Sequence, residues 1–191
     1  MNLYTFLEIT GTVASLLFCY LLIKENIWCW LFGIIASFIS IFLFVHSTLY
    51  AEAILAVYYV AIGFYGWVVW KRDENIQIFI SLWTLKANLL AITISAILSA
   101  CLGYILTTYT NATNPYTDAV ITIFSFLASY KEAKKILSGW MFWIVINATS
   151  ILLYFQRSLY YYAALALVYT IMSIWGYYNW KKKYIDQKTT F

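Results

Sequence analysis

The sequence predicts an all-α integral membrane protein of seven transmembrane helices arranged as a 3+1+3 parallel pseudo-repeat, and three observations lead there. Of the 191 residues 64% are hydrophobic and only 10% are charged, against roughly 25% charged in a soluble domain. One globular core of this length cannot hide so much apolar surface, so lipid must cover the remainder, which excludes an ordinary water-soluble fold, disorder and nucleic-acid binding. A bilayer core about 30 Å thick needs about 20 apolar residues per helical span, and seven such runs occur in the chain. Finally, a shift of 110 positions aligns residues 8–72 with 118–182 without a gap, and 20 of those 65 pairs are identical.

The spans are placed at 3–23, 28–46, 50–70, 86–107, 117–137, 140–156 and 159–180. The first is read as a span rather than a cleavable leader, because it has no basic start, carries Glu8 and leads directly into further spans. Pro115, after Asn114, is expected to start the fifth helix, because proline is tolerated in a first helical turn where its missing N–H has no partner to lose. Cys19, Cys29 and Cys101 lie in apolar runs without CxxC spacing, so they are read as packing residues rather than a zinc site or a disulfide framework. Asn111-Ala-Thr and Asn147-Ala-Thr have the glycosylation spacing and are read as accidental.

Each copy of the repeat holds three helices. Four spans therefore separate equivalent helices, and both copies point the same way. The resulting division is 1–72 for the first three-helix repeat, 73–110 for a loop and linker helix, 111–183 for the second repeat and 184–191 for a cytoplasmic tail. Eleven of the 12 Lys and Arg fall on one face and only Arg157 on the other, so the positive-inside rule puts the C-terminus in the cytoplasm and the N-terminus outside. Lys131, Lys134 and Lys135 with Glu132, and the Lys181–Lys183 run, are expected to be solvated or to meet lipid head groups. Trp67, Trp70, Trp175 and Trp180 are expected to anchor helix ends at the interface. Parallel repeats of this kind are a recurrent transporter design, with substrate held at the repeat interface near the midplane.

The most informative stretch is Gly139-Trp140-Met141-Phe142-Trp143-Ile144-Val145-Ile146-Asn147. At about 100° per residue, Trp140, Trp143 and Asn147 share an arc of about 60°, and Ser150 and Tyr154 continue the stripe. An amide far down a spanning helix is costly against lipid and should face the interior. Two indoles and an amide on one face suit a flat polar heterocycle, and a cationic ring gains further from indole faces. The matching stripe of the first copy reads Trp30, Gly33, Ser37, Ser40 and Phe44. Gly33 replaces Trp143 and is expected to open space for an asymmetric ligand, while Ser37 stands in place of Asn147. Tyr59 and Tyr169, identical across the repeat, either hydrogen-bond to the ligand or pack. Glu8 and Asp118 begin the first helices of the two copies. Asp118 either caps its helix or, with Glu8, serves proton coupling, and Thr122, one turn below, extends a polar lining or bonds back to its own helix. His46 is the only histidine, so neither a histidine-dependent hydrolase nor a metal site has the residues it needs. No nucleophile with a positioned base can be assembled, and 159–180 holds no lysine for a retinal linkage; no cofactor is expected.

The W-x-x-W-x-x-x-N pattern at Trp140, Trp143 and Asn147 resembles that of the Pnu-type vitamin transporters. So does the Leu-Tyr followed by Gly-x-x-x-Trp that ends each copy: Leu49-Tyr50 with Gly66 and Trp70, and Leu159-Tyr160 with Gly176 and Trp180. The resemblance spans nearly the whole chain and is nearest to carriers of nicotinamide riboside. It implies a SWEET-like 3+1+3 fold, often a homotrimer, in a bacterial inner membrane, moving a vitamin precursor by facilitated diffusion for NAD synthesis. It also implies a glutamine where this chain has Ala56, so thiamine, riboflavin and deoxynucleosides stay open as substrates. A receptor-like or structural seven-helix protein is the alternative of another class.

Overall fold

The computed structural model describes residues 2–46, 50–72, 79–110 and 114–189 and contains seven helices: α1 (Leu3–Ile23), α2 (Trp28–His46), α3 (Tyr50–Arg72), α4 (Leu85–Tyr109), α5 (Pro115–Ala133), α6 (Ser138–Gln156) and α7 (Tyr160–Thr189). Leu49 of the first Leu-Tyr pair, the Asn111-Ala112-Thr113 triplet and the loop at 73–78 lie outside the described residues. Among those described, α1, α2, Glu52–Lys71 of α3, α4 and α6 are each long and apolar enough to cross a membrane. The bounds expected from hydropathy hold closely for α1 to α4 and for α6. Helix α5 stops at Ala133 instead of 137, because Lys135 turns left-handed there (φ 52°). Helix α7 runs nine residues past the expected end.

Capping follows the sequence. The Asn2 side chain accepts from Tyr4 N at 3.4 Å, and Thr84 Oγ1 accepts from Ala87 N at 3.2 Å, each pairing one N–H that a helix start leaves free. Pro115 occupies the first turn of α5.

The chain forms two compact units, Met1–Phe79 with Tyr178–Phe191, and Ile80–Tyr177. In the first, α2 packs on α1 and on α3. Trp30 is 2% exposed, with Phe18 edge-on at 5.8 Å and Trp70 perpendicular to it at 5.5 Å; Trp70 in turn lies 6.4 Å from Trp180, whose Nε1 donates to Leu22 O at 3.2 Å. Trp70 and Trp180 are therefore core residues, 3% and 0% exposed, and not the interfacial anchors their positions suggested. Their indoles are enclosed by other parts of the protein. Lys183, one turn on, pairs with Glu25 at 2.8 Å.

In the second unit α5 packs on α4 and on α6. Here too a glycine admits a tryptophan: a Cβ on Gly176 of α7 would lie 2.6 Å from Trp140 Cε3, and one on Gly66 of α3 would strike the Trp30 ring in the first unit. The turns that follow α1 and α5 are built alike. Glu25 N bonds to Leu22 O and Asn26 N to Leu21 O, while Lys135 N bonds to Glu132 O and Ile136 N to Lys131 O. This is the paired bonding that closes a helix through a left-handed residue, taken by Glu25 and Lys135 without a glycine.

Candidate functional site

The stripe read from the sequence lies on α6, and its members differ in what they can still offer. Trp140 is 1% exposed and seated against Gly176, a packing position. Trp143, one turn on, is half-buried and its side chain hydrogen-bonds to Glu132; because an indole has only an N–H to give, it donates to the carboxyl. Asn147 is half-buried, and its Nδ2 reaches Ser173 Oγ of α7 at 3.4 Å, the long end of hydrogen-bonding range. Ser173 Oγ itself donates to Tyr169 O at 2.7 Å. Among the described residues nothing else bonds the Asn147 amide, so its carbonyl oxygen keeps full accepting capacity. Ser150 is buried and donates to Ile146 O at 2.9 Å.

Below this face lies a polar knot that the sequence reading assigned to solvent. Lys131 is 0% exposed and Glu132 2%, and Lys135 is buried as well, which corrects the expectation of a solvated charged face. Lys131 Nζ donates to Asn88 Oδ1 of α4 at 2.6 Å and to Ser138 Oγ of α6 at 2.9 Å, with the Trp83 ring 4.2 Å and the Phe142 ring 4.8 Å from the ammonium. Two hydrogen bonds and two aromatic faces replace its water. The segment before α4 closes over the turn: Ser81 N donates to Lys135 O and Leu137 N to Ser81 O, both at 3.0 Å, with Ile80 and Ile136 each 2% exposed. The base of α6 is thereby tied to α4 and α5. The sequence did carry a signal. In the 110-residue shift Lys131 and Glu132 fall on Leu21 and Leu22, and Leu22 is 1% exposed, so the register marked these positions as internal.

At the other end of α5, Arg157 Nη2 reaches both carboxylate oxygens of Asp118, at 3.2 and 3.1 Å. Asp118 is thus the partner of the one cation on its expected face, about 30% exposed on each side of the pair. Thr122 is half-buried one turn below. Tyr169 is half-buried on α7.

In the first unit, Ser37 Oγ donates to Gly33 O at 2.8 Å and Ser40 Oγ to Ala36 O at 2.9 Å, so both hydroxyl protons return to their own helix. Tyr59 is half-buried and lies edge-on to Tyr58 at 5.7 Å. Gly33 does not open space: a Cβ there would lie 2.9 Å from Phe18 Cδ2. The Phe18 ring fills the room that an indole at this position would need.

Comparison with known proteins agrees with this helical architecture. The sequence profile of a family described as nicotinamide mononucleotide transporter matches residues 5–182. The nicotinamide riboside transporter PnuC of Escherichia coli is 23% identical over 88% of this chain and 81% of its own length. The riboflavin/roseoflavin transporter RibM of Streptomyces davaonensis is 19% identical over 91% of this chain and 83% of its own. The crystal structure of the vitamin B3 transporter PnuC superposes with a TM-score of 0.77, at 22% identity over 95% of this chain and 83% of that one, so the fold is shared.

Proposed function

Because the chain belongs to the nicotinamide mononucleotide transporter family, we propose that it is a multi-pass bacterial inner-membrane carrier that imports nicotinamide riboside by facilitated diffusion. The observation that carries the reading is the α6 face, where a half-buried indole and a half-buried amide with an unused carbonyl stand one turn apart on a helix braced at its base. In this reading Trp143 stacks on the nicotinamide ring, the Asn147 oxygen accepts from its carboxamide, and Trp140 fixes α6 rather than touching the ligand. Tyr169 and Thr122 are assigned to the same binding site in this reading. No bond is made or broken in the substrate, which a separate kinase would trap. A homotrimer with its C-terminus in the cytoplasm belongs to the same reading.

The test is uptake by purified protein in liposomes, with nicotinamide riboside, thiamine and riboflavin compared, with and without a proton or sodium gradient. Nicotinamide riboside should equilibrate across the membrane without a gradient. Accumulation that requires a gradient would refute facilitated diffusion, and preferential uptake of thiamine or riboflavin would refute the substrate. Asn147→Ala should raise KM about tenfold, the worth of roughly one well-placed hydrogen bond.

A further inference from the structure

The Asn147 amide of α6 bonds to one side chain of α7, and that side chain decides what the amide can offer. Ser173 is buried, 3% exposed. A hydroxyl has a single proton to give, and Ser173 Oγ directs it to Tyr169 O, one turn back on α7, at 2.7 Å. Toward Asn147 the same oxygen can therefore only accept, and Asn147 Nδ2 lies 3.4 Å from it. The reversed amide would set two oxygens face to face with no proton between them, which loses the hydrogen bond and leaves buried acceptors opposed. The amide is thus held with its nitrogen on Ser173 and its carbonyl oxygen turned the other way. The repeat singles out the same two residues. In the 110-residue shift Asn147 and Ser173 fall on Ser37 and Gly63. Ser37 Oγ bonds back to Gly33 O, and a Cβ on Gly63 would lie 2.7 Å from Ile34 Cγ1. The first copy has neither the amide nor the hydroxyl that holds it, so the pair is a device of the second copy alone.

We propose that Ser173 is a specificity-determining positioning residue: it fixes the Asn147 amide with the oxygen toward the ligand, so that the carrier requires an N–H donor on the ring substituent and rejects a substituent of the same shape that can only accept. This rests on the carrier reading above. A site built to bond an N–H discriminates against the analogue that lacks it, because its own buried acceptor is then left without a partner. The acetyl analogue of nicotinamide riboside carries a methyl group in place of the carboxamide nitrogen. It keeps the cationic ring, the outline and the carbonyl, so the two compounds form a matched pair that differs in the donor alone.

Uptake of both compounds is measured in liposomes with the wild type, Ser173→Ala and Ser173→Thr. The wild type should show a KM about tenfold higher for the acetyl compound, the worth of roughly one hydrogen bond. Ser173→Ala frees the amide to reverse and donate to either carbonyl, so the ratio of the two KM values should fall below about threefold while both maximal rates stay within about twofold. Ser173→Thr returns the hydroxyl and should return the ratio, since its added methyl acts on both probes alike. In the Asn147→Ala background the preference should vanish and Ser173→Ala should add nothing. Equal KM changes for both probes in Ser173→Ala would mark Ser173 as merely packing and overturn the proposal, as would Ser173→Thr behaving like Ser173→Ala. Should Ser173→Ala fail to assemble, Ser173→Cys carries the test: the thiol fills the space but accepts weakly, and an unaltered ratio overturns the proposal. A wild type that moves neither probe overturns the carrier reading and this one with it, whereas a wild type that moves both with equal KM overturns only this one.

Discussion

Gly176→Ala adds one methyl group to α7 at the point where Trp140 of α6 lies closest. The new Cβ would lie 2.6 Å from Cε3 and Cζ3 of the ring, where ordinary contact begins at 3.4 Å, so ring or helix must retreat by about 0.8 Å. Trp140 is 1% exposed, which leaves the indole no vacant side to move into. Overpacking of this kind costs about 1–3 kcal/mol, while helix propensity alone favours Ala over Gly by up to about 1 kcal/mol. The two effects have opposite signs. For a chain of this size about 1 kcal/mol moves Tm by about 2–4 °C, so a fall of several degrees is expected in a thermal melt of the detergent-solubilised protein. Trp140→Phe, added to Gly176→Ala, should recover part of the loss because the smaller ring vacates the contested volume. A Tm equal to or above the wild-type value would refute the reasoning, since it would show that Trp140 is free to move and that α6 is not held by this contact.

The Asp118 and Arg157 pair, about 30% exposed on each side, should contribute roughly 1 kcal/mol at most; Asp118→Asn and Arg157→Gln should each lower Tm slightly and the double substitution no more than either alone, and full additivity would disprove the coupling. Ser81→Pro deletes the N–H that bonds Lys135 O and should loosen the cover over Lys131, making that amine reactive to a water-soluble acylating reagent read by mass spectrometry; continued protection would show that the cover does not depend on this bond. Trp83→Leu removes the ring 4.2 Å from the Lys131 ammonium and should destabilise by about 1–2 kcal/mol, which a melt would detect. Lys183→Glu should cost less than about 1 kcal/mol and be rescued by Glu25→Lys, because the pair is partly exposed.

Helix count and most boundaries were legible because span length and lipid burial dominate the free energy of a membrane chain. Helix α5 was placed four residues too long because a left-handed Lys135 carries none of the glycine signature that usually announces such a stop. Less of the candidate site was legible. Helical phase put Trp140, Trp143 and Asn147 on one face of α6, but phase cannot tell that Trp140 is seated against a glycine thirty-six positions later. Charge misled at Lys131 and Glu132. Their composition says surface, and only tertiary partners from α4 and α6, distant in sequence, make burial tolerable. Gly33 failed for the converse reason, because the absence of a side chain implies room only if no neighbour, here Phe18, moves in.

Lys131 also bears on how such a chain is made. Membrane helices are inserted before they associate, so at the moment of threading this ammonium is still wet and counts among the charges that decide which side a loop stays on. Only afterwards, when α4 and α6 close around it, does it become an internal strut. A methionine there could keep much of the packing volume and still disturb biogenesis, so that failure would surface as inverted or degraded chains rather than as a weak carrier.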